Sequence, residues 1–167
     1  MKTENKMESQ IGKLLKKKRL ILVLAESCTG GLLSHLITNV AGCSEYFLGS
    51  LVAYSYEVKR KWLGVKPSTL ERFGAVSREC VIEMAHGARH ALKGSFPLDS
   101  VVGLSISGVA GPGGGTAEKP VGTVWIGLSS TNREFARQFL WEGDRESNKL
   151  QSAQAALLTL LDFLQEK

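Results

Sequence analysis

The feature that most constrains the fold of this chain is an unbroken aliphatic run, LILVLA, at Leu20–Ala25. It lacks the polar and apolar alternation of a half-exposed strand, and its length suits a strand that is buried on both faces. Such strands occur in sheets with helices on both sides, so an α/β fold is expected. The residues ESCTGG follow at once, and the apolar residues after them predict a helix.

The rest of the chain mixes helical and strand patterns. Helices are predicted near Glu8–Lys18, over 31–40 and 56–64, from Pro67 to Gly74, from an N-cap at Ser77 to Gly94, and from Asp144 onward. Strands are predicted over 45–55 and 100–108, and residues 121–130 and 133–141 suggest an antiparallel hairpin around Thr131–Asn132. This order predicts a single layered α/β domain over residues 1–167 with a mixed sheet.

Composition and charge narrow the functional classes. The chain is 43% hydrophobic and 22% charged, which is typical of a globular protein. Its net charge of +5 makes an anionic partner plausible, and much of the excess lies in the run Lys13–Arg19. We interpret that run as a solvated helix end, favoured by the helix dipole, rather than a nucleic-acid or membrane patch.

The cysteines and the apolar segments bear on the compartment. Cys28, Cys43 and Cys80 are odd in number and show no CxxC spacing, which argues against a disulfide framework or a zinc site. No segment approaches the ~20 apolar residues of a membrane span, and the first ten residues lack the apolar core of a signal peptide. We therefore expect a soluble, cytoplasmic protein.

The turn after the first predicted strand is a candidate active site. Backbone N–H groups at a helix N-terminus have no intrahelical partner and favour phosphates, carboxylates or an oxyanion. Ser27 is well placed there as a nucleophile, although ESCTGG is not the GxSxG pattern of α/β-hydrolases. The pattern is equally compatible with Ser27 or Thr29 simply capping the helix. Cys28 is the alternative nucleophile, although packing is the commoner role of such a cysteine.

A serine nucleophile needs a base, and the histidines are poor candidates. His35 lies in the predicted helix that begins at this turn, where it is poorly placed to reach back to Ser27. His86 and His90 form HGARH, which lacks the glutamate of the HExxH metal-binding motif. A desolvated lysine can also serve, and Lys59 follows Tyr54 by five positions, so a tyrosine hydroxyl could hold the amine or relay a proton. The pattern is also compatible with a solvated helix lysine.

The stretch SISGVAGPGGG, residues 105–115, is the third candidate element. Glycines permit backbone geometries in which successive N–H groups surround one anion. The stretch matches neither GxGxxG nor the phosphate-binding P-loop, so a mobile surface loop is the alternative.

Taken together, several segments resemble the CinA C-terminal domain family. They are AESCTGG, AYSYEVKRKWLGV, GAVS, SISGVAGPGGGTAEKPVGTVWIGL and GDR, in this order. The resemblance runs from about Leu20 to the last predicted helix, and the number of long motifs in register makes it specific. It implies an amidohydrolase that converts nicotinamide mononucleotide and water into nicotinate mononucleotide and ammonia. It also implies the stand-alone form, since larger members carry an additional N-terminal domain for which this chain has no room.

Carried over residue by residue, the resemblance implies a serine nucleophile, Ser27, assisted by Tyr54 and Lys59. It implies no metal and no cofactor, and it suggests a homodimer with no membrane or nucleic-acid partner. Tyr56, between the presumed catalytic residues, is a local departure, since polar residues such as asparagine are common there in relatives.

On this mechanism, backbone N–H groups near Thr29, Gly30 and Gly31 are expected to stabilise the oxyanion. The substrate-binding positions are expected to be Ser107, Gly108, Gly111, Gly113 and Arg145. The 5′-phosphate would suit the glycine loop or Arg145, whose planar fork matches phosphate oxygens, although a structural ion pair for Arg145 is an equal alternative. The rival functions are an amidase for another carboxamide nucleotide and a non-catalytic module associated with competence or DNA damage.

Overall fold

Five strands form one mixed sheet with helices on both faces. The structure, a computed structural model, describes residues 6–166. The strands are β1 (Ile21–Glu26), β2 (Phe47–Val52), β3 (Val101–Gly108), β4 (Thr123–Ser129) and β5 (Glu134–Leu140). The α-helices are α1 (Met7–Lys18), α2 (Leu32–Thr38), α3 (Tyr56–Leu63), α4 (Pro67–Phe73), α5 (Arg78–His90) and α6 (Arg145–Gln165). Short 3₁₀ turns lie at Cys43–Glu45 and Leu98–Ser100.

The sheet order is β2-β1-β3-β4-β5. β1 pairs in parallel with β2 and β3, whereas β3–β4 and β4–β5 are antiparallel. The predicted α/β architecture with a mixed sheet and an antiparallel hairpin is therefore confirmed.

The central strand β1 is covered on both faces, as its aliphatic sequence predicts. Leu22 and Leu24 pack into a core with α1, α2 and α6, whereas Val23 and Ala25 pack into a second core with α3, α4 and α5. Because side chains alternate across a strand, both halves of the run are removed from water, and this explains the absence of polar residues.

Several predicted boundaries differ from the structure: β2 spans Phe47–Val52 rather than 45–55, α2 ends at Thr38 rather than at residue 40, and α5 and β1 also end elsewhere. α5 ends at His90 rather than at Gly94, because the chain leaves the helix through turns in which Lys93 N–H donates to the His90 carbonyl and Ser95 N–H to that of Leu92. β1 also runs one residue beyond Ala25 and ends at Glu26, which carries a charge into the buried end of the strand.

Glycines on β3 and β4 let α5 lie directly on the sheet. A Cβ at Gly103 would lie 2.0 Å from the Ala85 carbonyl oxygen, and one at Gly127 would lie 2.4 Å from that of Val81. Ser105, between them on the same face, donates its hydroxyl to the Val81 carbonyl at 2.5 Å. The small residues therefore set the distance between helix and sheet.

Gly103→Ala is expected to lower the free energy of unfolding by about 1–3 kcal/mol, the usual cost of overpacking a core. The added methyl must displace helix backbone, because the nearest atom is a carbonyl oxygen rather than a flexible side chain. Urea denaturation measures the effect. Gly113→Ala is the matched control, since its Cβ would meet no heavy atom within 4 Å; equal stability of both variants would contradict the close approach.

Candidate active site

The candidate residues meet at the carboxyl ends of the three parallel strands. Ser27 follows the end of β1, and its N–H continues the pairing by donating to the Ile106 carbonyl on β3 at 3.0 Å. Ala53 and Tyr54 follow the end of β2. The next two strands of the chain, β2 and β3, lie on opposite sides of β1. Ligands of open α/β sheets bind at the carboxyl ends of the strands where the strand order reverses in this way.

Lys59 reaches this edge from the first turns of α3. The helix begins after Ser55, whose hydroxyl accepts the Val58 N–H at 3.2 Å. The Lys59 side chain is only 1% exposed, and its Nζ lies 2.8 Å from Ser27 Oγ. Lys59 is therefore not a solvated helix lysine, whereas Lys61, two residues further along α3, is exposed and pairs with Glu57.

The surroundings of the Lys59 amine suit a proton acceptor. Its Nζ donates to the Ala53 carbonyl at 2.7 Å and to the Tyr54 carbonyl at 3.3 Å. A neutral amine can donate its two N–H bonds to these two carbonyls. Its lone pair can then accept a hydrogen bond from the Ser27 hydroxyl. Burial lowers the pKa of Lys59, which favours this neutral form.

Cys28, the alternative nucleophile, lies in a different environment. Burial raises the pKa of its thiol to about 12, so the thiol stays protonated near neutral pH. Because the thiolate is the reactive form, Cys28 is a poor nucleophile here and packs into the core instead.

The turn that carries Ser27 is built around Glu26, the first residue of ESCTGG, to which the sequence pattern assigned no role. Glu26 Oε2 accepts the Thr29 hydroxyl at 2.8 Å and the N–H groups of Gly31 and Leu33, each at 3.0 Å. Gly30 and Gly31 have φ angles of +60° and +100°, a left-handed conformation that explains the two glycines.

This arrangement corrects the expected oxyanion donors. The N–H of Gly31 is taken by Glu26, and the N–H of Gly30 donates to the Ser27 carbonyl at 3.1 Å. Neither of these two groups is available to an oxyanion, and of the three expected positions only the N–H of Thr29 stays open. The sequence does carry one sign of this role of Glu26: an acidic residue just before a predicted helix start is favoured by the helix dipole.

Tyr54 contributes its backbone rather than its hydroxyl to the Lys59 site. The ring is 58% exposed, and the hydroxyl accepts a hydrogen bond from Arg145 Nη2 at 2.9 Å. The expected support of the amine by this hydroxyl is therefore absent from the structure. Arg145 Nη1 donates to the Gly111 carbonyl at 2.6 Å, so its guanidinium joins Tyr54 to the glycine-rich loop.

The chain is similar in sequence and in fold to known proteins. The sequence profile of the CinA C-terminal domain matches residues 4–164. The chain belongs to the CinA C-terminal domain family. It is 44% identical to a CinA-like protein of Thermotoga neapolitana, over 98% of this chain and 38% of that protein. It is 47% identical to a CinA-like protein of Thermotoga maritima, over 96% of this chain and 38% of that protein. The chain thus spans under two fifths of either relative.

Two solved structures share the fold over almost their full length. The competence or damage-inducible protein from Enterobacter asburiae is 34% identical with a TM-score of 0.88, and the match covers 98% of this chain and 99% of that one. The competence damage-inducible protein A from Klebsiella pneumoniae is 32% identical with a TM-score of 0.86, covering 95% and 94%.

The glycine-rich stretch of this CinA domain has an inner part, Ser107 and Gly108 at the end of β3, and an outer part, the loop over residues 109–115. Ser107 and Gly108 end β3, next to Ile106, which pairs with the Ser27 N–H, so both lie at the candidate site. Gly111 is buried and held by Arg145, whereas Gly113 is exposed and open. Within residues 6–166, Arg145 has no carboxylate partner within 4 Å, so the structural ion pair considered for it is absent.

The three histidines of this CinA domain, all within the described residues, form no hydrogen bond to Ser27. His86 Nδ1 lies 2.9 Å from Glu134 Oε1, and with His90 it lines a surface groove of about 800 Å³ beside α3 and α5. No three metal-ligating side chains converge in the described part of the chain, residues 6–166. Over the same residues, no helix has the length and apolar character needed to cross a membrane.

Proposed function

We propose that this chain is an amidohydrolase that deamidates nicotinamide mononucleotide to nicotinate mononucleotide and ammonia. The observation that carries the proposal is the buried Lys59 amine, 2.8 Å from Ser27 Oγ and bounded by two backbone carbonyls. This is the geometry of a serine nucleophile with a lysine base. Membership of the CinA C-terminal domain family supports the same reading.

In the acylation half, neutral Lys59 accepts the Ser27 hydroxyl proton while Oγ bonds to the carboxamide carbon. The tetrahedral intermediate collapses with cleavage of the C–N bond, and Lys59 returns the proton to the leaving nitrogen as ammonia departs. The pyridinium ring of the substrate withdraws electrons, so the carboxamide carbon is already electrophilic.

In the deacylation half, Lys59 accepts a proton from water, and the resulting hydroxide oxygen bonds to the acyl carbon. Cleavage of the ester bond returns the proton from Lys59 to Ser27 Oγ and releases nicotinate mononucleotide. The amine is positioned for both halves, because its contacts with Ala53 and Tyr54 do not involve the substrate.

The substrate phosphate is assigned to Arg145 and the outer glycine loop. Arg145 is held by two neutral oxygens, Tyr54 Oη and the Gly111 carbonyl, so its full charge is available to an anion. Guanidinium–phosphate pairs are frequently bidentate, which gives orientation as well as affinity.

Arg145→Ala is expected to raise the KM for nicotinamide mononucleotide by about 10–100-fold, the effect of losing a charge-assisted hydrogen bond. Steady-state ammonia release measures this, with nicotinamide riboside as the phosphate-free comparison. Arg133→Ala is the control, because Arg133 pairs with Glu166. Equal losses on the nucleotide and the nucleoside would contradict the phosphate assignment.

The direct test of the function is ammonia release by the purified protein from a panel of carboxamide-bearing nucleotides, without added metal. Activity confined to nicotinamide mononucleotide supports the proposal, and preference for another member identifies a different amidase. An inactive protein with salt-sensitive DNA binding would instead favour the non-catalytic module.

A further inference from the structure

Glu26 is a buried carboxylate without a cation beside it. It is 0% exposed, and no lysine, arginine or histidine nitrogen lies within 4 Å of it among residues 6–166. Five donors surround it instead. Besides the three on Oε2, the N–H of Ser34 and the hydroxyl of Ser50 donate to Oε1 at 2.9 and 3.0 Å. A buried charge is tolerated only when it is satisfied in this way.

These donors tie together three pieces of structure: the turn after β1, the first turn of α2 and the edge strand β2. The carboxylate thus occupies the anion position that a helix N-terminus offers. Because the chain fills that position itself, no substrate phosphate or oxyanion can use the N–H groups of Gly31, Leu33 or Ser34.

Two N–H groups in the turn are left open. The N–H groups of Cys28 and Thr29 donate to no oxygen of the described residues and face only the Cys28 sulfur, whereas those of Ser27, Gly30 and Gly31 are all bonded to oxygen. Cys28 and Thr29 are only 5% and 1% exposed. Buried N–H groups without an oxygen acceptor are rare, and these two directly follow the nucleophile. In α/β-hydrolases, the N–H of the residue after the nucleophile is one of the oxyanion donors.

We propose that Glu26 is a positioning residue that shapes the turn so that the Cys28 and Thr29 N–H groups form the oxyanion hole. The inference rests on the proposed amidase function. The mechanical link is the Thr29 side chain, whose hydroxyl is held by Glu26 at 2.8 Å while its N–H stays open.

Glu26→Gln tests the proposal, because it preserves the size of the side chain but removes its charge and replaces one accepting oxygen with a donor. We expect kcat to fall by about 100-fold or more, the usual effect of losing an oxyanion donor, with KM changed less than about threefold. The acid limb of the pH profile should stay in place, because the contacts of Lys59 with its carbonyls are untouched.

Glu83→Gln is the matched control. Glu83 likewise accepts a backbone N–H and a threonine hydroxyl, from Lys66 and Thr69, at the start of α4 rather than at Ser27. Thermal unfolding of both variants measures the purely structural cost. A Glu26→Gln enzyme with kcat within threefold of wild type would overturn the proposal, as would an equal loss of kcat in Glu83→Gln.

A readout independent of the natural reaction is the rate at which a fluorophosphonate labels Ser27, followed by intact mass. The phosphoryl oxygen of this probe needs the same oxyanion donors, so labelling should slow in Glu26→Gln in proportion to kcat. If the wild-type protein is labelled but releases no ammonia, the proposed deamidase function is wrong. The labelling rates of wild type and Glu26→Gln then still test the positioning role of Glu26. A wild-type protein that is neither labelled nor active overturns both proposals.

If Glu26→Gln does not fold, Thr29→Val carries the test. This variant replaces the hydroxyl that links the turn to Glu26 with a methyl group, and it should slow labelling by about 10–100-fold, the loss of one hydrogen bond to a charged group. Labelling at the wild-type rate in Thr29→Val would overturn the positioning role.

Discussion

On the proposed mechanism, Ser27→Ala is expected to reduce ammonia release at least about 1,000-fold while leaving the fold intact, as removal of the nucleophile does in known serine hydrolases. The change deletes the oxygen that lies 2.8 Å from Lys59 Nζ and leaves the neighbouring backbone contacts in place. The side chain is small and 7% exposed, so little packing is lost. Steady-state ammonia release measures the activity, and circular dichroism with thermal unfolding verifies the fold.

Cys28→Ala is the matched control for the nucleophile. Because burial holds the pKa of this thiol at about 12, the variant should retain wild-type turnover apart from a packing effect. Thiol alkylation of the native enzyme at neutral pH should likewise leave activity intact. Near-normal turnover in Ser27→Ala, together with a loss in Cys28→Ala, would reassign the nucleophile to Cys28.

Lys59→Met is expected to reduce ammonia release by at least about 1,000-fold, because the variant keeps an apolar chain of similar length but has no base. Lys61→Ala is the control on the same helix, and it should keep full activity because Lys61 is exposed and pairs only with Glu57. Turnover of Lys59→Met within tenfold of wild type would exclude Lys59 as the base.

Lys59 also predicts a pH dependence of activity and of stability. On the proposed mechanism the neutral amine is the active form, so kcat/KM should rise with pH through a pKa below the ordinary lysine value, since burial lowers the pKa of this group. Between that pKa and about 10.4, the unfolded chain binds more protons than the folded one, so the free energy of unfolding rises with pH. Lys59→Met should lack this rise in urea denaturation measured across the same range.

Local sequence patterns predict much of the fold. The run at Leu20–Ala25 predicts a strand buried on both faces, and Leu22 and Val23 do lie in cores on opposite sides of the sheet. Caps at Ser77 and Asp144 mark where α5 and α6 begin. The end of α5 is harder to predict. The chain leaves the helix before Gly94 through turns held by backbone hydrogen bonds, which most sequences can form.

The sequence by itself determined the class of fold and the family, since these depend on local periodicity and on motifs in register. It also nominated Ser27, Tyr54 and Lys59 for chemistry, of which Ser27 and Lys59 remain in the proposed mechanism. Only the tertiary structure decided what those residues touch. It buried Lys59 against Ser27, turned the Tyr54 hydroxyl toward Arg145, and placed the Glu26 carboxylate under the N-terminus of α2. Burial and hydrogen bonding between distant segments set the pKa of an amine and the availability of an N–H group, and no local pattern encodes either.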